Sequence, residues 1–135
     1  MIDSLAKIIK IAVIDDDKNL RKLVSTILER EVSAAIIAFD PMFELIDIIK
    51  ENKFDLIILD YLMPKIDGLE ILINLANENV NTPVILFTAY PEIEQVQVLK
   101  DHGLNMNIKI LKKPFEIENF IKLVKTTLQE HRQQE

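Results

Sequence analysis

The chain has 135 residues, 49% of them hydrophobic and 28% charged, which suits one packed domain and argues against disorder. Its 16 basic and 22 acidic residues form no basic cluster, so we expect no direct contact with nucleic acid. The absence of cysteine excludes disulfides and thiolate metal sites. The first residues do not resemble a signal peptide, and no apolar run is long enough for a bilayer, so we expect a cytoplasmic protein without membrane contact.

Short apolar runs alternate with amphipathic segments along the whole chain. The runs lie at residues 8–14, 34–39, 56–59, 83–87 and 108–111. They are short, rich in β-branched residues and without polar alternation, which is typical of strands buried on both faces. Five strand-helix units with short connections predict an α/β fold with a five-stranded parallel sheet, doubly wound in the flavodoxin-like manner and covered by five helices.

Each amphipathic segment begins at a recognisable helix signal. These signals are Asp16 or Asp17, Asp40-Pro41, Asp67-Gly68, Pro91 and Glu116. Acidic side chains cap helices and proline suits their first turn, while Gly68 is expected to permit a tight turn. The apolar faces include Leu20, Leu23, Val24, Ile27 and Leu28 in the first helix, Met42, Leu45, Ile46 and Ile49 in the second, Leu69, Leu72, Ile73 and Ala76 in the third, Ile93, Val96, Val98 and Leu99 in the fourth, and Ile117, Phe120, Ile121, Val124 and Leu128 in the fifth.

Polar side chains follow four of the predicted strands. They are Asp15, Asp16 and Asp17 after the first strand, Asp60 after the third, Thr88 after the fourth and Lys113 after the fifth. Because the carboxyl ends of parallel strands meet at one edge of a sheet, we expect these side chains to lie together. Clustered carboxylates repel one another and need a cation, and oxygen ligands favour the hard ion Mg²⁺. Asp17 is also placed to cap the first helix.

Asp60 is the candidate for the chemistry at this edge. Taken alone it could equally be a turn-forming residue before Pro64, but its expected neighbours favour a functional role. The Asp60 carboxylate can act as a nucleophile, Lys113 can bind an incoming phosphoryl oxygen, and the Thr88 hydroxyl can donate to the same group. The sequence therefore predicts a phosphoryl-transfer site.

Four motifs in order resemble the receiver domain of two-component response regulators, of the single-domain chemotaxis or sporulation type. They are residues 11–17, residues 59–64 with Asp67-Gly68, residues 87–89 and residues 113–115. The resemblance covers about residues 7–129 of a single domain spanning residues 1–135. It implies that Asp60 accepts a phosphoryl group from a histidine kinase or a phosphotransfer protein and that Thr88 and Lys113 hold this group. It also implies a cis peptide bond between Lys113 and Pro114.

The resemblance further implies a metal site and an output surface. Asp16, Asp60 and the backbone carbonyl of Leu62 would bind Mg²⁺ directly, with Asp15 acting through water. Phosphorylation would switch a protein-interaction face made by the fourth helix, the fifth strand and the fifth helix. Such a domain is no enzyme beyond catalysing its own phosphorylation and dephosphorylation. The kinase, the downstream protein or fused output domain, and a phosphorylation-dependent homodimer stay open.

The sequence departs from the family at three places. Ile110 stands where the family has an aromatic switch residue, residues 105–107 lengthen the segment before the fifth strand, and Leu62 and Tyr90 replace groups that are polar in many members. Leu62 and Tyr90 flank the phosphorylation site and should affect how easily water reaches a phosphoryl group on Asp60.

Two other functions stay open. A haloacid-dehalogenase-like phosphatase would use Asp15 and Asp17 of the Asp-x-Asp sequence, but this leaves Asp60 unexplained. A receiver-like interaction module that is not phosphorylated usually lacks the acceptor Asp or the Lys, and both are present here as Asp60 and Lys113. A nucleotide or flavin site is disfavoured because the chain has only two glycines.

Overall fold

The computed structural model describes residues 8–41 and 44–133, and within them five parallel strands form one sheet flanked by five helices. In chain order the elements are β1 (Lys10–Ile14), α1 (Lys18–Val32), β2 (Ala35–Phe39), α2 (Leu45–Asn52), β3 (Leu56–Asp60), α3 (Gly68–Asn77), β4 (Val84–Thr88), α4 (Glu92–Asp101), β5 (Ile108–Lys112) and α5 (Ile117–Gln133). The strand order is β2-β1-β3-β4-β5, with every adjacent pair parallel. This confirms the predicted doubly wound, flavodoxin-like fold.

The central strand β3 is buried along its whole length. It pairs with β1 on one side and with β4 on the other, and β4 is also fully buried. Helices cover both faces of these strands, which explains why their sequences are apolar without alternation. The edge strands β2 and β5 are only partly buried.

The helices enclose a separate hydrophobic core on each face of the sheet. On one face α2, α3 and α4 contribute Leu45, Ile49, Ile71, Leu72, Leu75 and Leu99. On the other face α1 and α5 contribute Val24, Leu28, Phe120, Val124 and Leu128. Successive residues of β3 alternate between the two cores, as Ile57 does with Ile58.

The structure corrects the start of the second helix. The sequence predicts that Asp40-Pro41 opens it, but α2 begins at Leu45 with Glu44 in the capping position. Met42, which the sequence pattern places on the buried face of this helix, lies outside the described residues. The first turn of the helix forms where Leu45 can reach the core, rather than at the earlier local signal.

Three apolar residues predicted on buried helix faces are exposed: Leu23, Ile93 and Ile117. The buried residues of α4 are Gln95 and Leu99. At about 100° per residue, Ile93 lies about 200° from Gln95 around the helix, so it points away from the sheet. Its 85% exposure follows from this rotation.

Gly68 brings the start of α3 against the loop that follows β3. The backbone N–H of Gly68 donates to the carbonyl of Tyr61 at 2.8 Å. A Cβ at this position would lie 2.7 Å from the Tyr61 Cα, which is closer than real contacts allow. Of the glycines described, only Gly103 has a positive φ. Close approach, rather than the predicted tight turn, therefore requires glycine at position 68.

Candidate functional site

Three acidic side chains meet at the carboxyl edge of the sheet. Asp15 and Asp16 directly follow β1, and Asp60 is the last residue of β3. Since β1 and β3 pair in parallel with Ile14 opposite Leu59, the residues that follow them are neighbours. Each of the three offers a carboxylate oxygen, and these oxygens lie within 4.8 Å of one another. The structure thus brings together the acids that the sequence places at these strand ends.

Lys113 forms an ion pair with Asp60 in this pocket. Its Nζ lies 2.8 Å from Asp60 Oδ1, and the Asp60 side chain is almost fully buried. The backbone N–H of Lys113 donates to the carbonyl of Thr88 at 2.7 Å, which fixes the lysine beside the end of β4. The peptide bond between Lys113 and Pro114 is cis, as predicted. One ammonium group against three carboxylates leaves the pocket negative.

Burial changes the acidity of Asp15. Burial raises the pKa of its carboxyl to about 6, and the charge of Asp60 acts in the same direction. The backbone N–H of Asp17 donates to Asp15 Oδ1 at 2.9 Å and partly opposes this rise. The Arg21 guanidinium donates to the backbone carbonyl of Asp15 at 2.7 Å and so holds this loop against α1. A divalent cation beside these groups would favour the ionised form of Asp15.

Asp17 caps α1 and lies outside the acidic cluster. Its Oδ1 accepts hydrogen bonds from the backbone N–H groups of Asn19 at 2.9 Å and Leu20 at 3.2 Å. This confirms the predicted N-cap.

Thr88 is buried at the end of β4, and its hydroxyl is bonded to α4. The hydroxyl donates to Gln95 Oε1 at 2.8 Å and accepts from the backbone N–H of Tyr90 at 3.1 Å. Gln95 is 1% exposed, and the sequence analysis missed it. A signal was available, because Gln95 precedes Leu99 by one helical turn and so shares its face.

Leu62 and Tyr90 flank the segment that follows Asp60. Leu62 is 68% exposed, in a loop closed by a bridge between Leu62 and Asp67. Tyr90 is also exposed, and its ring packs edge-on against the ring of Tyr61 with centroids 5.8 Å apart. Neither Leu62 nor Tyr90 brings a charged side chain to this segment.

Sequence comparison identifies the family. A sequence model of the response regulator receiver domain matches residues 11–125, which is most of the chain. The chain belongs to the response regulator receiver family. The predicted family and fold are therefore confirmed, and the acidic pocket of this receiver fits the phosphoacceptor site of such domains.

Several known proteins are similar to this receiver. It is 31% identical over 119 residues to Sporulation initiation phosphotransferase F of Bacillus subtilis, covering 88% of this chain and 93% of that protein. It is 32% identical to the response regulator ArlR of Staphylococcus saprophyticus over 88% of this chain, but spans only 52% of that relative. The solved receiver domain of the Francisella response regulator 1452 shares 30% identity over 90% of this chain and 97% of its own, with a TM-score of 0.77.

Within residues 8–41 and 44–133, no helix combines the length and the apolar character that crossing a bilayer requires.

Proposed function

We propose that this receiver accepts a phosphoryl group on Asp60 in a Mg²⁺-dependent reaction and catalyses only its own phosphorylation and dephosphorylation. The observation that carries the proposal is the ion pair between Lys113 and Asp60, formed beside the carboxylates of Asp15 and Asp16. A buried strand-end carboxylate next to one cation and two further acids is suited to receive a charged group together with a metal ion.

The donor set fits Mg²⁺. Carboxylate oxygens gathered within 4.8 Å are hard ligands, and three carboxylates beside a single ammonium group favour an added positive charge. Asp16, Asp60 and the backbone carbonyl of Leu62 would hold the ion directly, and Asp15 would act through water. When bound, the ion supplies charge neutralisation for the phosphoryl oxygens.

The phosphoryl donor is a phosphohistidine of a histidine kinase or of a phosphotransfer protein. An oxygen of Asp60 forms the new O–P bond while the P–N bond of the donor breaks, and the bonding electron pair stays on the imidazole nitrogen. The Nζ of Lys113, already 2.8 Å from Asp60 Oδ1, is placed to offset charge on the phosphoryl oxygens. The Thr88 hydroxyl is the second donor to this group.

The output face consists of α4, β5 and α5. Phosphorylation adds nearly two negative charges beside Thr88 and Lys113, and both residues lead directly into these elements. The recipient is a downstream protein or an attached output domain, and a phosphorylation-dependent homodimer would use the same face. Cytoplasmic location follows from the proposed kinase partner, and similarity to a sporulation phosphotransferase supports a place in a phosphorelay.

The phosphatase alternative has less support. The Asp17 carboxylate caps α1 and lies outside the acidic cluster that contains Asp15, so the two acids of the Asp-x-Asp sequence do not share one site. The intact pair of Asp60 and Lys113 also argues against a receiver-like module that has lost its chemistry.

Phosphorylation of variants by acetyl phosphate and Mg²⁺ tests the proposal. Mass spectrometry of the intact wild-type chain should show one added phosphoryl group, and Asp60→Asn should show none. Asp17→Asn is the matched control, because asparagine also caps helices, and it should be labelled like the wild type. Labelling that survives Asp60→Asn but disappears in Asp15→Asn would support the phosphatase. No labelling of the wild type would support the inactive module.

A further inference from the structure

α4 is held to the sheet by two buried side chains, Gln95 and Leu99. By comparison, α3 buries the apolar side chains Ile71, Leu72 and Leu75. One of the two anchors of α4 is therefore a polar side chain, and its bond to Thr88 ends at the edge of the acidic pocket. A change in that bond should alter how α4 packs.

The hydrogen bond between Thr88 and Gln95 uses the single hydrogen of a hydroxyl group. The Tyr90 N–H already donates to Thr88 Oγ1, so the hydroxyl hydrogen is directed to Gln95 Oε1. The Nε2 atom of Gln95 is buried and finds no hydrogen-bond partner among the described residues. Only one of the two polar atoms of the Gln95 carboxamide therefore has a hydrogen-bond partner, which is unfavourable in a buried position.

We propose that Gln95 is a positioning residue of the phosphorylation switch. It holds the Thr88 hydroxyl toward α4 in the unmodified receiver and releases it when a phosphoryl group on Asp60 competes for the same hydrogen. This inference rests on the proposed phosphorylation of Asp60. The two bonds exclude each other because Thr88 has one hydrogen to donate, and the charged phosphoryl oxygen is the stronger acceptor.

Release of Thr88 links the pocket to α4. After the exchange Gln95 Oε1 has lost its bond to Thr88 while Nε2 already lacks a partner in the described part of the chain, and a buried amide without partners is costly. A movement of α4 that exposes the Gln95 amide to water would remove this free-energy cost. The side chain of Ile110 on β5 has no polar group, whereas Gln95 connects the Thr88 hydroxyl to α4.

Binding of beryllofluoride, a phosphoryl analogue, in the presence of Mg²⁺ tests the exchange. Gln95→Met keeps a similar volume and removes both amide groups, so the Thr88 hydroxyl has no competing acceptor in this variant. We expect it to bind beryllofluoride about threefold to tenfold more tightly than the wild type, which corresponds to one net hydrogen bond. Gln97→Met is the matched control, because Gln97 lies exposed on the same helix, bonded to Asp101, and should leave the affinity unchanged.

Two further measurements separate this role from a structural one. In a Thr88→Val background, Gln95→Met should no longer change the affinity, because the shared hydrogen is absent. Hydrogen exchange of the α4 amides should become faster when the wild type binds beryllofluoride, and this change should be smaller in Gln95→Met. If Gln95→Met does not fold, Gln95→Leu replaces it in these measurements. The hydrogen-exchange measurement on the wild type needs neither variant.

The outcomes distinguish the two proposals. A wild-type chain that neither binds beryllofluoride nor accepts phosphate overturns the proposed function itself. If the wild type binds beryllofluoride, two results would overturn only the role of Gln95. One is an unchanged affinity in Gln95→Met, and the other is an equal change in affinity in the Thr88→Val background. Hydrogen exchange of the α4 amides that does not change when the wild type binds beryllofluoride would also overturn the role of Gln95.

Discussion

We expect the carboxyl group of Asp15 to make Mg²⁺ binding depend on pH. Its pKa is raised from 3.8 to about 6, mainly by burial. In the metal-free protein the destabilisation from burying this group is absent below pH 3.8, where it is protonated in both folded and unfolded states, and reaches its full size above about pH 6. A cation that favours the ionised form must therefore compete with a proton at lower pH, and we expect Mg²⁺ affinity to fall about tenfold from pH 7 to pH 5.

Calorimetric titration with Mg²⁺ at the two pH values measures this dependence. Asp15→Asn should bind more weakly at pH 7 but show a much flatter dependence, because the titrating group is gone. Asp16→Ala should remove binding at both values. Equal wild-type affinities at pH 5 and pH 7 would show that Asp15 takes no part in the site.

The side chains of Leu62 and Tyr90 should give phosphorylated Asp60 a long lifetime. Hydrolysis needs a water molecule aligned with the phosphorus, and the Leu62 side chain cannot orient one. The Tyr90 ring packs on Tyr61, the residue after Asp60, and we expect it to cover part of the approach. The combined change Leu62→Asn and Tyr90→Ala should speed dephosphorylation about tenfold, equivalent to about 1.4 kcal/mol of barrier. Decay of the labelled chain, followed by mass spectrometry, gives the rate.

Leu23→Asn is the control for this experiment, since it makes the same exchange at an exposed leucine on α1. Its decay should match that of the wild type. Loss of phosphate from the wild type within seconds, or equal rates in the wild type and the double variant, would refute the argument from water access.

The sequence predicts which side chains form the pocket better than it predicts their hydrogen-bond partners in neighbouring helices. Asp15, Asp60 and Lys113 lie at or directly after the carboxyl ends of β1, β3 and β5, and the geometry of a parallel sheet brings such positions together whatever the helices do. The partner of Thr88 depends instead on the rotation of α4 about its own axis. That rotation is set by packing, and although Gln95 lies one turn before Leu99, the weak apolar pattern of α4 does not show that Leu99 rather than Ile93 marks the buried face.

Among the elements, the start of α3 is the one most tightly fitted to the site. A Cβ at Gly68 would meet backbone atoms of Tyr61 at 2.7 and 2.8 Å, and the backbone cannot yield as a flexible side chain would. Gly68→Ala should lower the free energy of unfolding by about 3 kcal/mol, the upper end for overpacking. It should also slow phosphorylation, because the segment after Asp60 is displaced.

The other glycine provides the comparison. Gly103 has φ +67°, but a Cβ at this position would meet only open space, so Gly103→Ala should cost about 1–2 kcal/mol from backbone strain alone and leave phosphorylation unchanged. Denaturant unfolding and acetyl phosphate labelling measure the two effects. Equal phosphorylation rates in the two variants would show that Gly68 has no influence on the site.

Element boundaries and faces show where local signals stop being sufficient. Asp17 is predicted and found as the cap of α1, because a cap needs only its own side chain and the next turn. The start of α2 depends on where Leu45 meets the sheet, which no local signal specifies. Leu23 and Ile117 lie on apolar stripes that are wider than the contact each helix makes, so periodicity alone overestimates their burial.

Across the whole molecule, phosphorylation should change the structure mainly on the side formed by α4, β5 and α5. Thr88 and Lys113 lead into α4 and α5, whereas α1 contacts the pocket mainly through the Arg21 bond to the Asp15 backbone. We expect the largest amide chemical-shift changes on phosphorylation in α4, β5 and α5. Changes confined to residues 20–28 of α1 would refute this.

The two cores divide the molecule into halves that can change separately over evolutionary time. Leu72 and Val124 lie on opposite faces of the sheet, with the strands between them, and substitutions at such separated positions are expected to add without coupling. Sequence drift around α1 and α5 therefore needs no compensation around α2, α3 and α4. The proposed output face takes α4 from one half and α5 from the other, so a new partner at that face would act on both halves at once.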